Sequence, residues 1–263
     1  MEQVGVRVSL DGPVGAITLD RPDKRNAVDH TMWTALEAAC RQLAEDDAVR
    51  VVVLRGAGNH FCAGADINDL LAARGDGERP FLEVNMAAED ALATLPKPTV
   101  AAIHGDCIGG GAALAIDCDI RIASSTARFG ITPSKLGIVY PAASLERAVR
   151  LLGPAAKRLL FTGDLIDAAD AHRIGLVDEV VEPGLLDDRV AALCDTLASR
   201  SLLTQAATKE MVAAVMADGA VPVAMAAQWS HEAESSGETA EGVVAFRERR
   251  PPLFPWRGHS SRS

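Results

Sequence analysis

The chain has few aromatic residues and too little positive charge for a nucleic-acid surface. Aromatic residues make up 4% of its 263 residues, and the formal net charge is -10. Proteins that bind nucleic acids neutralise phosphates with basic stripes and stack bases on aromatic rings. We therefore expect no nucleic-acid partner, although a local basic patch could still hold a phosphorylated cofactor.

Long apolar runs and paired cysteines are also scarce. The longest apolar runs are interrupted by polar residues or prolines, and the first residues lack the basic and apolar regions of a signal peptide. The cysteines are odd in number and contain no C-x-x-C pair, which is typical of reduced core residues. They are Cys40, Cys62, Cys107, Cys118 and Cys194. The sequence therefore predicts a cytoplasmic protein with no membrane partner.

Several catalytic and nucleotide-binding motifs are missing. The sequence contains no G-x-S-x-G nucleophile elbow, no G-x-G-x-x-G fingerprint and no Lys-Ser/Thr after its glycine cluster. A covalent hydrolase is therefore a weak alternative, because no base is visible beside a serine or cysteine nucleophile. We also expect no metal site, since His60, Cys62 and Asp66 do not have a supported ligand spacing.

A glycine cluster marks the centre of the chain. Thr99–Ile103 has the pattern of a short buried strand, glycines occupy positions 109–111, and residues 112–117 have the pattern of a small-residue helix. The first amides of a helix have no internal partner, and glycine lets them approach a ligand oxygen closely. The stretch predicts either an anion-binding helix start or simply a tight strand-to-helix turn.

Periodicity elsewhere places the chain in the α/β class. Strands are predicted at residues 4–10 and 14–19, joined by a turn, and Asp29 is a candidate N-cap for a helix through Ala44. Charged and glycine residues at 74–79 predict a mobile segment that could cover a pocket. Helical patterns dominate after residue 184, so we divide the chain into a core, 1–184, and a helical C-terminal region, 185–263.

A second motif upstream gives the glycine cluster its context. Residues 61–67 read F-C-A-G-A-D-I and follow an apolar strand at 51–54. Together with residues 108–113, this pattern resembles the crotonase superfamily, the enoyl-CoA hydratase/isomerase group. The resemblance spans nearly the whole chain through further motifs at 20–22 (D-R-P), 26–28 (N-A-V), 162–163 (T-G), 168–177 and 242–250.

The resemblance implies a spiral of ββα units with a helical C-terminal region that mediates assembly into a trimer or a dimer of trimers. It implies an acyl-CoA substrate and no cofactor beyond its CoA moiety. The amides of Ala65 and Gly110 would form an oxyanion hole that stabilises a thioester enolate. The residues implied in CoA binding are Lys24, Arg25, Ala63, Ala65, Asp66, Ile67, Asn68, Gly110 and Arg249. Asp66 could equally be a helix cap.

The chain departs from the superfamily's hydratases at two positions. Those enzymes place glutamates where this sequence has Ala113 and Pro133, and neither side chain can move a proton. Residues 129–140 are instead similar to the branch that contains methylmalonyl-CoA decarboxylase, whose T-P-x-x-L-G-x-x-Y pattern lines the acyl pocket. Thr132 and Tyr140 match that pattern, whereas Ala65 stands where the branch often has histidine.

The sequence thus favours decarboxylation of a malonyl-type thioester, with Thr132 and Tyr140 shaping the reacting end. Two unit charges about 4 Å apart repel by roughly 4 kcal/mol at an effective dielectric near 20, so loss of both glutamates would suit a carboxylated substrate. Two alternatives stay open: an enoyl-CoA hydratase or isomerase without the usual glutamate pair, and a catalytically silent CoA-thioester-binding protein. Unassigned acids remain at Asp117, Asp119 and Glu146.

Overall fold

The computed structural model describes residues 2–3, 5–70, 72, 75 and 77–258. The strands of this part of the chain are β1 Glu2–Gln3, β2 Val6–Asp11, β3 Val14–Leu19, β4 Val51–Gly56, β5 Thr99–Ile103, β6 Asp106–Ile108, β7 Ile120–Ser124, β8 Arg128–Gly130, β9 Ile166–Asp167 and β10 Glu179–Val181. The helices are α1 His30–Glu45, α2 Ile67–Leu70, α3 Phe81–Ala93, α4 Gly110–Asp117, α5 Ala142–Leu152, α6 Ala155–Thr162, α7 Ala168–Arg173, α8 Leu186–Ala198, α9 Leu202–Asp218, α10 Val223–Ser236 and α11 Glu238–Glu248.

The large sheet has the strand order β1-β2-β3-β4-β5-β7-β10. The first three strands pair in antiparallel fashion, and the pairs from β3 to β10 are parallel. The predicted hairpin is confirmed, because Asp11 pairs with Val14 across the turn. Its first strand begins at Val6, and Val4 lies outside the described residues.

A small second sheet, β6-β8-β9, runs beside the large one. Isolated bridges join Val28 to Ala65 and Cys62 to Cys107, and β6 pairs with β8 in parallel. Each turn of the chain therefore passes through the large sheet, then through a short second-layer segment, and then into a helix. This path recurs from β3 to α1, β4 to α3, β5 to α4 and β7 to α5, which confirms the predicted spiral of ββα units.

Helix α1 follows from a local signal that the sequence contains. The Asp29 side chain accepts a hydrogen bond from the Met32 amide at 2.9 Å, which caps the first turn. The predicted apolar face of the helix is buried and packs in the main core with α3 and the sheet; it comprises Met32, Leu36, Ala39, Cys40 and Leu43. Trp33 is fully buried as well.

Helix α8 covers the opposite face of the large sheet. Its side chains Leu186, Val190 and Cys194 pack against Val51 and Val100 of the central strands. All five cysteines are buried and unpaired, as predicted for core residues. The first helix after residue 184 is thus part of the packing that completes the sheet.

Helices α9, α10 and α11 form a separate apolar cluster. Trp229 packs edge-to-face on Trp256 with ring centroids 6.1 Å apart, and both rings lie against the first turn of α9. The structure confirms the predicted helical C-terminal region and adds α11, a helix over residues that the sequence marked only as a motif. The division of the chain at residue 184 stays a prediction.

The segment at 74–79, predicted to be mobile, includes Arg74 and Asp76, which lie outside the described residues. The lid hypothesis is therefore untested. Among the helices of the described ranges, none combines the length and the apolar character needed to cross a membrane.

Candidate active site

Helix α4 begins at Gly110, earlier than the start that we predict at residue 112. Gly109 precedes it with φ 57° and ψ −118°, a conformation that L side chains rarely adopt. A Cβ on Gly111 would lie 2.4 Å from the Cys62 carbonyl oxygen. Glycine has a low helix propensity, so the sequence pattern underestimates the helix where close packing requires glycine.

The backbone amides of Ala65 and Gly110 lie close together. A Cβ on Gly110 would lie 3.4 Å from the Ala65 nitrogen, and a Cβ on Gly64 would lie 3.2 Å from the Gly110 nitrogen. Neither amide donates a hydrogen bond to any other described residue. Two unpaired N–H groups at the start of a helix can together bind one oxygen anion.

Backbone hydrogen bonds hold the loop that carries the first of these amides. The Cys62 amide donates to the Asp106 carbonyl at 2.9 Å, and the Ile108 amide donates to the Cys62 carbonyl at 2.9 Å. On the other side, the Val28 amide donates to the Gly64 carbonyl at 2.8 Å. The loop is therefore fixed between two neighbouring turns of the spiral, and the distance between the two amides is set by the fold.

The first turn of α4 carries no acid. Ala113 is 3% exposed, and Pro133 begins a 3-10 turn, Pro133–Lys135. The Thr132 hydroxyl oxygen lies 3.6 Å from the position that a Cβ on Gly109 would occupy. A neutral hydroxyl therefore lies against Gly109, the residue that precedes the Gly110 amide.

Buried and half-buried polar side chains gather where α3, α4 and α5 meet. We call this group the α4-end cluster; it consists of Asn85, Glu89, Asp117, Tyr140, Ser144 and Arg147. Asn85 Nδ2 donates to Glu89 Oε1 at 2.9 Å, and Ser144 Oγ donates to Glu89 Oε2 at 2.5 Å. Arg147 Nη1 lies 3.4 Å from Asp117 Oδ1 and 3.8 Å from Glu89 Oε2.

Three buried atoms of the α4-end cluster have no hydrogen-bond partner. They are Tyr140 Oη, Asp117 Oδ2 and Arg147 Nη1, whose contact with Asp117 lacks hydrogen-bond geometry. An unpaired buried polar group typically costs about 1–3 kcal/mol, so native proteins rarely keep several together without a reason. Tyr140 thus lies among buried polar groups, while Thr132 lies against Gly109.

Sequence reasoning found only part of this cluster. Asp117 stood out as an acid at the end of a small apolar helix, and Tyr140 matched a superfamily pattern. Glu89 and Arg147 were missed, because nothing in α3 or α5 by itself indicates which of their polar residues face α4. A polar residue recurring on an otherwise buried helical face was the available signal.

We expect the stability of the protein to depend on the protonation of Asp117. Burial, and then the charge of Glu89, raises the pKa of the Asp117 carboxyl well above its usual range. The folded state then binds more protons than the unfolded state above about pH 4, so the free energy of unfolding falls as the pH rises. Asp117→Asn removes this titration, and its advantage over wild type should grow by about 1 kcal/mol or more between pH 5 and pH 8.

Urea unfolding at both pH values and one protein concentration measures this change. Asp188→Asn, on the exposed first turn of α8, is the matched control and should follow the wild-type pH dependence. Parallel curves for wild type and Asp117→Asn would contradict the prediction.

Two of the residues expected to contact CoA form an exposed basic patch beside the loop. Lys24 and Arg25 are exposed, and the Arg25 carbonyl accepts a hydrogen bond from the Ala63 amide at 2.9 Å. Arg25 Nη1 and Arg128 Nη2 lie 3.1 Å and 2.7 Å from the two carboxylate oxygens of buried Asp106. Burial alone would raise the pKa of Asp106, but hydrogen bonds from Arg128 and Arg25 hold it below its usual value.

Asp66 acts as a helix cap in this structure. Its Oδ1 accepts a hydrogen bond from the Asn68 amide at 3.1 Å, and its Oδ2 pairs with Arg21 at 3.1 Å. Asn68 and Ile67 are exposed, the latter to 57%. The Asp66 carboxylate is thus engaged, whereas the neighbouring side chains are open to a ligand.

Arg249 lies far along the chain from these residues, at the C-cap of α11, with φ 54°. It is exposed, and its guanidinium forms no ion pair within the described residues. The neighbouring Arg250 instead pairs with Glu241 and Glu248. No hydrogen bond or ion pair joins Arg249 to Lys24 or Arg25 within one chain.

A ββα spiral with two unpaired amides at a glycine-lined helix start defines the fold and the candidate site of this α/β protein. Residues 10–257 match the sequence model of the family Enoyl-CoA hydratase/isomerase. The chain therefore belongs to the enoyl-CoA hydratase/isomerase family, the crotonase superfamily.

Individual relatives agree with this assignment. A Thermus thermophilus protein assigned by name to the enoyl-CoA hydratases is 37% identical over 92% of this chain and 98% of its own length. The short-chain-enoyl-CoA hydratase of Clostridium acetobutylicum is 33% identical over 95% of this chain and 97% of its own length. A crystal structure from Magnetospirillum magneticum, described as an enoyl-CoA hydratase/carnithine racemase, superposes with a TM-score of 0.89 at 34% identity, covering 95% of each chain.

Proposed function

We propose that the protein is an acyl-CoA lyase that stabilises a thioester enolate between the amides of Ala65 and Gly110. The observation that carries the proposal is that these two unpaired N–H groups lie side by side at the start of α4. The negatively charged thioester oxygen would accept both hydrogen bonds. One such donor typically lowers the activation barrier by about 3–4 kcal/mol. The CoA moiety of the substrate is the only cofactor in this proposal.

Within this chemistry we take hydration of a 2-enoyl-CoA as the first candidate reaction. The relatives described above are named as hydratases, and they are similar over almost the whole chain. Hydration still needs a group that moves protons, because Ala113 and Pro133 cannot. The next acid on the same face of α4 is Asp117, one helical turn beyond Ala113.

Decarboxylation of a malonyl-type thioester is the second candidate. It is favoured by one observation, the neutral Thr132 hydroxyl that lies against Gly109, since loss of CO2 needs an enolate sink and no base. The buried carboxyls of Glu89 and Asp117 weaken the electrostatic argument for it. Although the two glutamates of the hydratases are missing, these two carboxyl groups are present near α4.

Turnover of crotonyl-CoA and methylmalonyl-CoA by the purified protein, followed by mass spectrometry, separates the candidates. Gain of water on crotonyl-CoA supports hydration, and loss of CO2 from methylmalonyl-CoA with crotonyl-CoA unchanged supports decarboxylation. Binding of both thioesters without turnover of either would favour a silent CoA-thioester-binding protein. Absence of binding to either by calorimetry in low salt would overturn the whole proposal.

For the CoA end we propose that the basic patch of Lys24 and Arg25 faces the phosphates, and that residues 63–68 run beside the nucleotide and pantetheine. Guanidinium and ammonium groups suit phosphate oxygens, and both side chains are exposed. Arg249 is proposed for the same role.

We also propose that α9, α10 and α11 form a trimer interface. Large apolar side chains remain exposed on these helices and the following arm, among them Phe246 at 84% and Leu253 at 77%. Contiguous exposed apolar surface of this kind marks interaction sites. Sedimentation at micromolar concentration should give a trimer or a dimer of trimers. A stable monomer would contradict the proposal.

A further inference from the structure

The α4-end cluster lies at the opposite end of α4 from the proposed oxyanion hole. Gly110, Ala113 and Asp117 are spaced along α4 so that they share one face of the helix. At 1.5 Å per residue, Asp117 lies about 10 Å along the axis from Gly110. The buried side chains of Ala113 and Leu114 stand on that face between the two. An acyl chain whose carbonyl oxygen meets the amides and which follows this face reaches the cluster.

The three atoms there that lack a hydrogen bond are chemically complementary. Tyr140 Oη and Arg147 Nη1 are donors, and the Asp117 carboxyl keeps acceptor capacity even when it is protonated. They come from three different segments, so no local turn or cap accounts for them. Burial with an apolar chain end would leave Tyr140 Oη and Asp117 Oδ2 without a hydrogen bond, and Arg147 Nη1 with its ion pairs alone.

We propose that the α4-end cluster recognises a hydroxyl group at the far end of the acyl chain. The inference rests on the proposed function, since it names the substrate class of the same site. A hydroxyl accepts from Tyr140 or Arg147 and donates to Asp117, which satisfies donor and acceptor together.

The charges around the cluster favour this neutral group over a second carboxylate. Glu89, Asp90 and Asp117 surround the single cation Arg147, whose Nη2 already pairs with Asp90. A substrate carboxylate would add a fourth acid to a buried site, where like charges repel strongly. A terminal methyl group would add no charge, but it would form no hydrogen bond with the polar atoms of the cluster.

The matched probes are 6-hydroxyhexanoyl-CoA and heptanoyl-CoA, which differ only in the terminal OH or CH3. Six bonds from the thioester carbon to the hydroxyl oxygen span about 7 Å. A hydrogen bond adds about 3 Å, so the group reaches the depth of Asp117. Because both probes are saturated, competition calorimetry measures binding without turnover. Adipoyl-CoA and 6-aminohexanoyl-CoA test an anionic and a cationic end.

We expect the hydroxyl probe to bind about 10-fold or more tightly than heptanoyl-CoA, since a site with buried hydrogen-bonding groups rejects the analogue that lacks the partner. Tyr140→Phe and Asp117→Asn should each reduce this ratio, and Asp188→Asn should leave it unchanged. Tyr140→Phe is the more conservative test, because it removes only the hydroxyl. The variant should lose the preference for the hydroxyl probe while keeping the ring that packs on the core.

Each other result overturns the inference. Three results would show that the cluster does not recognise a hydroxyl group. They are equal binding of the hydroxyl and methyl probes, tighter binding of the adipoyl or aminohexanoyl probe, and an unchanged hydroxyl-to-methyl affinity ratio in both variants. In these cases the proposed function stands, because thioesters still bind. Failure of every thioester to bind overturns the proposed function and, with it, the inference.

Discussion

Gly110→Pro should lower turnover of any acyl-CoA substrate by about 100- to 1000-fold, the usual loss when one oxyanion-hole donor is removed. Proline has no N–H, so the substitution deletes one of the two unpaired amides directly. Gly110 is the first residue of α4, the helical position that tolerates proline best. Substrate affinity should change much less than the rate, because the donor acts mainly on charge that develops in the transition state.

Gly110→Ala is the matched control. It keeps the N–H, and its Cβ would lie 3.4 Å from both the Ala65 nitrogen and the Trp33 ring, at the lower edge of ordinary contact. Rates with crotonyl-CoA and methylmalonyl-CoA, measured with circular dichroism spectra as a fold check, compare the variants. A folded Gly110→Pro protein with the wild-type rate on the substrate that the wild type turns over would show that this amide is not a donor.

The elements that the sequence predicts well are those with a local cause. The Asp29 cap, the apolar face of α1 and the turn between β2 and β3 are each determined by residues close in the chain. The strand order of the large sheet is not local in this way. The resemblance implied the spiral of ββα units but no strand order, and periodicity alone does not show that the turns stack as a spiral.

The features of the site also differ in whether they have a local cause in the sequence. The glycine cluster indicated one amide, but pairing it with the amide of Ala65 depends on contacts between turns of the spiral. The α4-end cluster depends on tertiary packing even more, since α3, α4 and α5 each contribute a few polar residues. The substitution pattern at Ala113 and Pro133 was visible in the sequence. Asp117 was visible there as an unassigned acid, but its burial beside Glu89, which changes the meaning of that pattern, was recognisable only once the helices were packed.

Asn26→Ala should destabilise the fold by about 3 kcal/mol, since three hydrogen bonds of roughly 1 kcal/mol each are lost. Asn26 is fully buried, and its Oδ1 accepts from the Arg21 amide at 2.9 Å. Its Nδ2 donates to the carbonyls of Ala57 and His60 at 2.9 Å and 2.6 Å. The side chain therefore ties the motif before α1 to the loop that leads to Ala65.

Asn26 also has φ 57°, a left-handed conformation that asparagine tolerates better than alanine. Asn26→Gly loses the same hydrogen bonds but accepts this conformation, so it should be the less destabilised variant by about 1 kcal/mol. Thermal unfolding should show a midpoint lowered by about 6–12 °C for Asn26→Ala, at 2–4 °C per kcal/mol for a chain of this size. Because the lost bonds hold the loop before Ala65, turnover should fall even at temperatures where the variant is folded. An unfolding midpoint within 2 °C of wild type would mean that the loop is held without Asn26, and that the position of the Ala65 amide depends on the bridges to Val28 and Cys107 alone.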